Sequence, residues 1–337
     1  MKTFLATTGS GLARATLVNG NWSVEFPLVD RGVRCLAADP HNPNAVYAGT
    51  QGSGVLRSSD GGKTWGLAGL AGRVVKSLAL SRADPGAVYA GTRPPMVFLS
   101  RDGGANWQEL ESFRRIRSRW WWRFPAEPPD LTAYVQGIAL SPVNPKVLVV
   151  GVEAGAVVRS GDGGQTWSDH RPGALRDCHS ITFHTTADDW VYEGGGTGAG
   201  VAVSRDSGQT WKQPKAGLDR RYGWAVAADP AQPEIWYASL SPMITWARPG
   251  PPAAHVDGHS DAYIFRSVGG AAWQKLGGGL PQSLNYMAYA LVTDPDAPGH
   301  LYAGLSSGDV WHSSNHGDMW KQLPFNLKGI HRTLIML

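Results

Sequence analysis

Seven side chains that could bind a ligand stand at aligned positions near the starts of seven apolar segments. They are three cations, an amide, an imidazole and two aromatic rings: Arg34, Lys76, Gln136, His179, Trp224, Tyr289 and Arg332. We call these seven the funnel residues. Cationic groups attract anions, and Trp or Tyr can stack on a sugar ring. The set therefore predicts a binding site for an anionic or carbohydrate ligand. The alternative is polar strand ends that only contact channel water.

The two positions after each funnel residue follow a fixed pattern. The first is always small: Cys35, Ser77, Gly137, Ser180, Ala225, Ala290 and Thr333. The second is always aliphatic: Leu36, Leu78, Ile138, Ile181, Val226, Leu291 and Leu334. Small residues suit strands that approach one another closely near an axis, and aliphatic residues suit a core. We expect the seven segments to be the innermost strands of a wheel.

Glu193 interrupts a second aligned column. The other repeats have a small or branched apolar residue there: Ala6, Ala48, Ala90, Val150, Ala238 and Ala303. A carboxyl group at an apolar position should be buried, and burial raises its pKa and suits it to acid–base catalysis. His179 lies on the adjoining strand, so we hypothesise that Glu193 and His179 are coupled at the funnel. The alternative is an internal contact that satisfies Glu193.

Further candidates lie in neighbouring loops. Glu153 follows the second strand of the preceding repeat, and with Glu193 it is the candidate carboxylate pair of a glycosidase. A lyase would instead use His179 or Tyr222 as the base, with cations stabilising the anionic intermediate. Arg93 and Arg221 are candidate ligand-binding residues. The same loops carry Arg73 and Asp177.

The elements that would position these residues come from an internal repeat. The pattern Ser-x-Asp-x-Gly-x-Thr-Trp occurs in full or nearly so at 58–65, 100–107, 160–167 and 204–211, and in degenerate form at 267–273 and 313–320. Trp22 continues the phase. The period is about 40–50 residues, which is typical of a four-stranded propeller blade. Two longer intervals indicate insertions.

These turns resemble the bacterial neuraminidase repeat, also called the Asp-box. Propellers with this repeat include sialidases, xyloglucan-active glycosidases, the sortilin lumenal domain and a photosystem II assembly factor. The resemblance covers nearly the whole chain. It implies a propeller in which the box is a structural turn on the face opposite the active site, so Asp60, Asp102, Asp162 and Asp206 receive no chemical role. The Arg-Ile-Pro of sialidases is missing, which argues against sialidase activity.

The chain ends complete the ring. Residues 331–337 read as an isolated first strand, and residues 2–9 read as a second strand. Pairing the C-terminal strand with the N-terminal blade would close the circle and remove free sheet edges. We predict one all-β domain over residues 1–337, a seven-bladed β-propeller of four-stranded antiparallel blades.

The first insertion, residues 111–133, combines arginines with Trp120, Trp121 and Trp122 within 112–124. Strand order places it on the top face, the face where the first strands begin. It could be a lid over an anionic ligand, a surface for a protein partner or a contact for single-stranded nucleic acid. Alternatively, the tryptophans pack beneath the loop and the arginines are solvated.

The second insertion, residues 241–262, also belongs to the top face. His255, Asp257 and His259 alternate there and could converge on a metal ion if the segment bends suitably. A Pro- and Gly-rich loop edging the funnel is the preferred interpretation, so no metal and no other cofactor is predicted.

Composition narrows the function class. The net charge of +4 over 337 residues is too small for a dedicated nucleic-acid binder. No secretion signal and no long apolar segment is evident, so a cytoplasmic protein without membrane contact is expected. Two hypotheses remain: a propeller that binds an anionic or carbohydrate ligand, as a hydrolase, a lyase or a simple binder, and a non-catalytic assembly scaffold that uses loop 112–124.

Overall fold

The computed structural model describes residues 2–122, 132–243 and 252–337, without the side chain of Trp121. The chain forms seven antiparallel sheets arranged as the blades of a β-propeller, as predicted. Three short 3-10 helices lie in the two insertions, at Glu111–Arg115, Arg117–Trp121 and Ala253–His255. Within the described ranges, no helix has the length and apolar character needed to cross a membrane.

The first half of the chain supplies blades 1 to 4, with one strand of blade 1 coming from the C-terminus. Blade 1 contains β1 (Thr3–Thr7), β2 (Leu12–Val18) and β3 (Asn21–Leu28). Blade 2 contains β4 (Val33–Asp39), β5 (Asn42–Thr50), β6 (Val55–Ser58) and β7 (Gly66–Leu67). Blade 3 contains β8 (Val74–Leu80), β9 (Val88–Arg93), β10 (Val97–Ser100) and β11 (Gln108–Glu109). Blade 4 contains β12 (Tyr134–Leu140), β13 (Leu148–Glu153) and β14 (Val157–Ser160).

The second half supplies blades 5 to 7 and the closing strand. Blade 5 contains β15 (Cys178–Phe183), β16 (Val191–Gly195) and β17 (Val201–Ser204). Blade 6 contains β18 (Tyr222–Ala228), β19 (Ile235–Ser241), β20 (Tyr263–Val268) and β21 (Gln274–Lys275). Blade 7 contains β22 (Ala288–Thr293), β23 (Leu301–Leu305), β24 (Asp309–Ser313) and β25 (Lys321–Asn326). The last strand is β26 (Leu334–Met336).

Blades 4 and 5 have a short outer edge in place of a full fourth strand. In blade 4, the Ser168 N–H donates to the Arg159 carbonyl at 2.8 Å. In blade 5, Val203 and Lys212 exchange two backbone hydrogen bonds of 2.9 Å each. These contacts keep the four-stranded pattern of the other blades.

Ring closure is confirmed. β26 pairs antiparallel with β1, with Leu334 opposite Ala6 and Met336 opposite Phe4. Two backbone hydrogen bonds between Thr3 and Leu337, of 2.9 and 3.2 Å, extend the pairing. Leu334 is 3% exposed and packs in the core between blades 7 and 1. Blade 1 therefore receives its innermost strand from the opposite end of the chain.

The repeated turns satisfy their own polar groups. In the first, the Ser58 hydroxyl donates to Asp60 Oδ1 at 2.7 Å and accepts from the Gly62 N–H at 2.9 Å. Asp60 Oδ1 also accepts from the N–H groups of Lys63 and Thr64 at 3.0 and 2.9 Å. The carboxylate is thus used to hold the turn, which fits the structural role expected from the sequence.

Closure by β26 leads to a stability prediction. Leu334→Ala should lower the free energy of unfolding by about 2–4 kcal/mol, because it removes a buried leucine from the strand that joins the two ends. The matched control is Leu67→Ala, since Leu67 is 63% exposed on the outer strand of blade 2. Urea unfolding followed by tryptophan fluorescence measures both. Equal midpoints for the two variants would contradict a stabilising role for closure.

Candidate functional site

A cavity of about 230 Å³ lies at the hub of the propeller. Three consecutive residues from the innermost segment of every blade line it, and the first of each three is a funnel residue. The structure thus brings together all seven funnel residues, with the small and aliphatic residues below them. Residues nearly 300 positions apart in sequence share one wall because the innermost strands converge on one axis.

A β-bulge at six of the seven funnel residues, all except Arg332, explains where these side chains point. The pairing between first and second strands skips Arg34, Lys76, Gln136, His179 and Tyr289 in their blades. In blade 6, the skip covers Trp224 and Ala225. A bulged residue is unpaired and its side chain is redirected. The side chains of the bulged funnel residues therefore face the cavity, whereas their neighbours on the same strands pack between blades.

Aromatic side chains form one wall of the cavity. The His179 and Trp224 ring centroids are 4.3 Å apart, and those of Trp224 and Tyr289 are 4.7 Å apart. The Arg332 guanidinium lies 5.9 Å from the Trp224 ring. This wall presents flat apolar surface beside a cation.

Cationic side chains gather around Tyr134. Lys76 is 2% exposed, and its ammonium group lies 4.0 Å from the centroid of the Tyr134 ring. Arg332 donates from Nη1 to Gln136 Oε1 at 2.7 Å and from Nη2 to the Tyr134 hydroxyl at 3.2 Å. Arg34 is more accessible, and its Nε donates to Gln51 Oε1 at 2.8 Å.

His179 is held between a backbone carbonyl and a carboxylate. Its Nδ1 lies 2.7 Å from the Gly223 carbonyl oxygen, and its Nε2 lies 3.5 Å from Asp177 Oδ2. Burial lowers the pKa of His179, but the neighbouring carboxylates of Asp177 and Glu153 outweigh this effect, so that the pKa is raised. Burial likewise raises the pKa of Asp177, but His179 outweighs it and lowers that pKa.

Glu153 is the second carboxyl group of this cluster. The Tyr134 hydroxyl donates to its Oε2, and Arg332 Nη1 lies 3.9 Å from the same oxygen. Burial raises the pKa of Glu153, although His179, Arg332 and Tyr134 each act to lower it. Glu153 and Asp177 therefore have pKa values displaced in opposite directions although both face His179.

The second insertion reaches the aromatic wall through His255. Its Nε2 and Nδ1 each lie 2.8 Å from a phenolic oxygen, that of Tyr222 and that of Tyr289. Burial lowers the pKa of His255 to about 4, so the ring is neutral. Because the Tyr289 hydroxyl donates to the Ala254 carbonyl at 3.0 Å, we assign the proton to Nδ1 and the donor role at Nε2 to Tyr222.

No protein-family model matches the chain, and no curated protein matches it. Solved structures share its fold. A GH74 xyloglucanase from Xanthomonas campestris matches with a TM-score of 0.67 and 19% identity over 94% of this chain and 52% of that one. An ancestral GH74 enzyme matches with a TM-score of 0.64 and 18% identity, over 94% of this chain and 39% of that one. YCF48 bound to a D1 peptide matches with a TM-score of 0.57 and 14% identity, over 86% of this chain and 80% of that one.

These identities establish the shared propeller fold and nothing finer. The chain spans only about 39–52% of the length of the two GH74 enzymes. The neighbours include a xyloglucanase and a protein solved with a bound peptide, so the fold is compatible with catalysis and with binding alone.

The structure does not bring Glu193 and His179 together at the cavity. Glu193 is fully buried, as expected, but it is not part of the cavity lining. Its cross-strand neighbours Ile181 and Ala202 belong to an apolar cluster between blades 4 and 5. Oε2 accepts from the Leu175 N–H at 2.9 Å, and Oε1 has no hydrogen-bond partner among the described residues. The column that contains Glu193 faces the neighbouring blade, whereas His179 is turned into the hub by its bulge.

The alternating residues of the second insertion do not form a common site. His255 contacts the two tyrosines, and Asp257 Oδ1 accepts from the Ser306 hydroxyl at 3.3 Å. Among the residues described, the one group of three metal-ligating side chains is Glu153, Asp177 and His179. The metal hypothesis for His255, Asp257 and His259 is therefore not supported by the geometry.

The first insertion does not present three tryptophans together. Trp122 is 6% exposed and packs with Phe113 in the core between blades 3 and 4, whereas Trp120 is 58% exposed. Phe113 and Ile116 provide the apolar contacts that draw Trp122 inward. Residues 111–122 are not part of the cavity lining. The predicted lid also involves residues 123–131, which lie outside the described part.

The remaining cations differ in position. Arg93 is 7% exposed, and its guanidinium lies 5.8 Å from the Tyr134 ring. Arg73 lies over the Phe98 ring at 5.6 Å, and Arg221 is exposed. Neither Arg93 nor Arg221 lines the cavity. Both stay predictions as ligand-binding residues.

Tyr134 and Asp177 are not among the site residues predicted from the sequence. Each stands two residues before a funnel residue, as Tyr222 does in the next blade. The same position is occupied by glycine or an apolar residue in the other four blades: Gly32, Val74, Met287 and Ile330. Comparing this column across the repeats would have identified all three polar residues.

Glu193 generates a prediction about pH and stability. Burial raises its pKa well above the usual value, so the folded state binds this proton more tightly than the unfolded state. The resulting stabilisation is complete below the unfolded pKa and is lost as the pH rises toward the folded pKa. Glu193→Gln should therefore gain stability relative to the wild type as the pH rises above about 4.5.

Urea unfolding at pH 5 and pH 8 measures this difference. Glu111→Gln, at an exposed position, is the matched control and should show no such trend. A Glu193→Gln variant whose stability relative to the wild type is the same at both pH values would contradict the buried neutral carboxyl group.

Proposed function

We propose that this protein binds a small anionic ligand, of the size of one carboxylated sugar unit, at the top of its central cavity. The observation that carries the proposal is the convergence of Arg34, Lys76 and Arg332 beside the aromatic pair Trp224 and Tyr289 around one cavity. Cations supply the attraction for a carboxylate, and the aromatic faces supply a stacking surface for a ring.

The charge balance of the cavity favours an anion. Three of the seven funnel residues are Arg or Lys, and none is a carboxylate. Cationic side chains that line a cavity attract a carboxylate or a phosphate to its mouth.

The size of the cavity limits the ligand. A volume of about 230 Å³ is below the ~300–1,000 Å³ that is usual for drug-sized molecules. One sugar ring, or the terminal unit of a chain that continues outside, fits this space better than an internal stretch of polysaccharide. We therefore take a uronic acid as the working ligand class.

Catalysis on such a ligand, as a hydrolase or a lyase, is the stronger form of the same hypothesis. Glu153, His179 and Tyr222 are its candidate residues, and Asp177 joins them at the site. Glu193 faces the blade interface and is not among these candidate catalytic residues. The opposite pKa displacements of Glu153 and Asp177 are typical of an acid–base pair. Product release from a uronate disaccharide measures turnover, and a calorimetric titration of the same protein measures binding. Comparing the two separates catalysis from binding.

A non-catalytic assembly role is the second candidate. The exposed Trp120, with 58% of its surface accessible, favours it, since exposed tryptophan is a frequent anchor in protein interfaces. YCF48, one of the structural neighbours, is known with a bound peptide. Under this alternative, Trp120→Ala would abolish partner capture and leave the cavity unchanged.

The ligand proposal is tested by calorimetric titration with D-glucuronate, D-glucose and inorganic phosphate. We expect glucuronate to bind more tightly than glucose, and Lys76→Met to weaken glucuronate binding about tenfold or more, because a charge-assisted contact contributes about 1.5–3 kcal/mol.

Arg82→Met is the matched control, since it removes one exposed cation from a turn between first and second strands, at the opposite face. Equal affinity of the Lys76→Met variant and the wild type, or equal binding of glucuronate and glucose, would refute an anion-selective cavity.

A further inference from the structure

We propose that Glu153, Asp177 and His179 bind one divalent transition-metal ion at the top of blades 4 and 5. The proposal goes beyond the anion-binding function and does not depend on it. These residues differ from the weak metal candidates of the second insertion, His255, Asp257 and His259.

The donor atoms of the three side chains converge. One nitrogen or oxygen from each lies within 4.8 Å of the other two. Glu153 ends β13, Asp177 precedes β15, and His179 is the bulged residue of β15. Three short backbone segments of two neighbouring blades therefore aim ligating atoms at one point.

The other polar atom of each side chain is held in place. His179 Nδ1 lies 2.7 Å from the Gly223 carbonyl oxygen, and Asp177 Oδ1 accepts from the Ala154 N–H at 3.1 Å. The Tyr134 hydroxyl donates to Glu153. Metal-ligating histidines and carboxylates are commonly oriented through hydrogen bonds of this kind.

The spacing between His179 and Asp177 fits two ligands of one ion better than a direct hydrogen bond. Nε2 and Oδ2 are 3.5 Å apart, whereas a charge-assisted N–H···O bond measures about 2.7–2.9 Å. Two ligands that are each about 2.1 Å from a tetrahedral metal ion are about 3.4 Å apart. The ion would occupy the gap between these two atoms.

The donor set indicates the class of metal. One imidazole and two carboxylates suit Zn²⁺ or Mn²⁺, whereas Mg²⁺ and Ca²⁺ prefer oxygen ligands alone. Three protein ligands leave at least one coordination position open. The Asp177 side chain is 25% exposed, which gives an ion access from the solvent. A ligand carboxylate held by the funnel cations could complete the coordination.

The test is a calorimetric titration with Zn²⁺, Mn²⁺ and Mg²⁺. The protein is first treated with a chelator and desalted. We expect one equivalent of Zn²⁺ or Mn²⁺ to bind, with much weaker binding of Mg²⁺. His179→Ala and Asp177→Asn should each weaken binding at least tenfold. His41→Ala, an exposed histidine in a turn at the opposite face, is the matched control and should bind like the wild type.

Co²⁺ added to the wild type gives a second measurement that needs no variant to fold. A ligated ion of low coordination number should give strong visible absorption, and a spectrum identical to that of aqueous Co²⁺ would overturn the proposal. Wild-type affinity in both His179→Ala and Asp177→Asn, or loss of binding in His259→Ala instead, would overturn it as well.

The metal and anion proposals can fail separately. Lys76→Met should retain the metal because Lys76 is not a ligand, and the metal titration contains no sugar. Metal binding without any glucuronate binding would leave this inference standing and reject the proposed function. Glucuronate binding in a protein that takes up no metal would do the reverse.

Discussion

The close approach of adjacent strands at the hub is the constraint from which the candidate site follows. Gly49 pairs with Cys35, and a Cβ on Gly49 would come within 2.5 Å of the Cys35 sulfur. A Cβ on Gly151 would likewise come within 2.2 Å of the sulfur of Cys178 in the next blade. Only small side chains fit between the blades at this level. The chain therefore has to direct any larger side chain out of the interface and toward the axis.

The bulge on the first strand achieves this redirection. It leaves the funnel residue unpaired, so the residue before it and the residue after it can both serve the packed interface. The same local irregularity, repeated around the ring, converts a closely packed hub into a lined cavity. Chemical variety is then possible at one position per blade with little effect on the packing that surrounds it, which is how a repetitive fold can present six types of side chain to one cavity.

Much of this arrangement could be predicted from the sequence because it repeats. Seven aligned segments predict seven blades, and the small and aliphatic positions predict which column lies at the axis. Contacts that occur once could not be predicted in this way. The burial of Glu193 follows from the apolar residues at its aligned positions. Which face of the blade it occupies depends on the bulge at His179, which shifts the inward and outward alternation of the paired strand. Trp122 is buried in one apolar cluster with Phe113 and Ile116. These contacts occur in one insertion and have no counterpart in the repeat.

The uneven distribution of polar groups around the hub is the strongest reason to assign it a function. Blades 4, 5 and 6 have Tyr134, Asp177 and Tyr222 two residues before the funnel residue, whereas the other four blades have glycine or an apolar residue there. The propeller geometry therefore does not require polar groups at this level. Burying ionisable groups costs several kcal/mol for each ion before their mutual attraction is counted, and Glu153 and His179 are both buried here. A protein that needed only a stable hub could repeat the apolar solution of its other blades. Under the two proposals, the polar sector serves a bound ion or an anionic ligand, and the apolar sector serves packing alone.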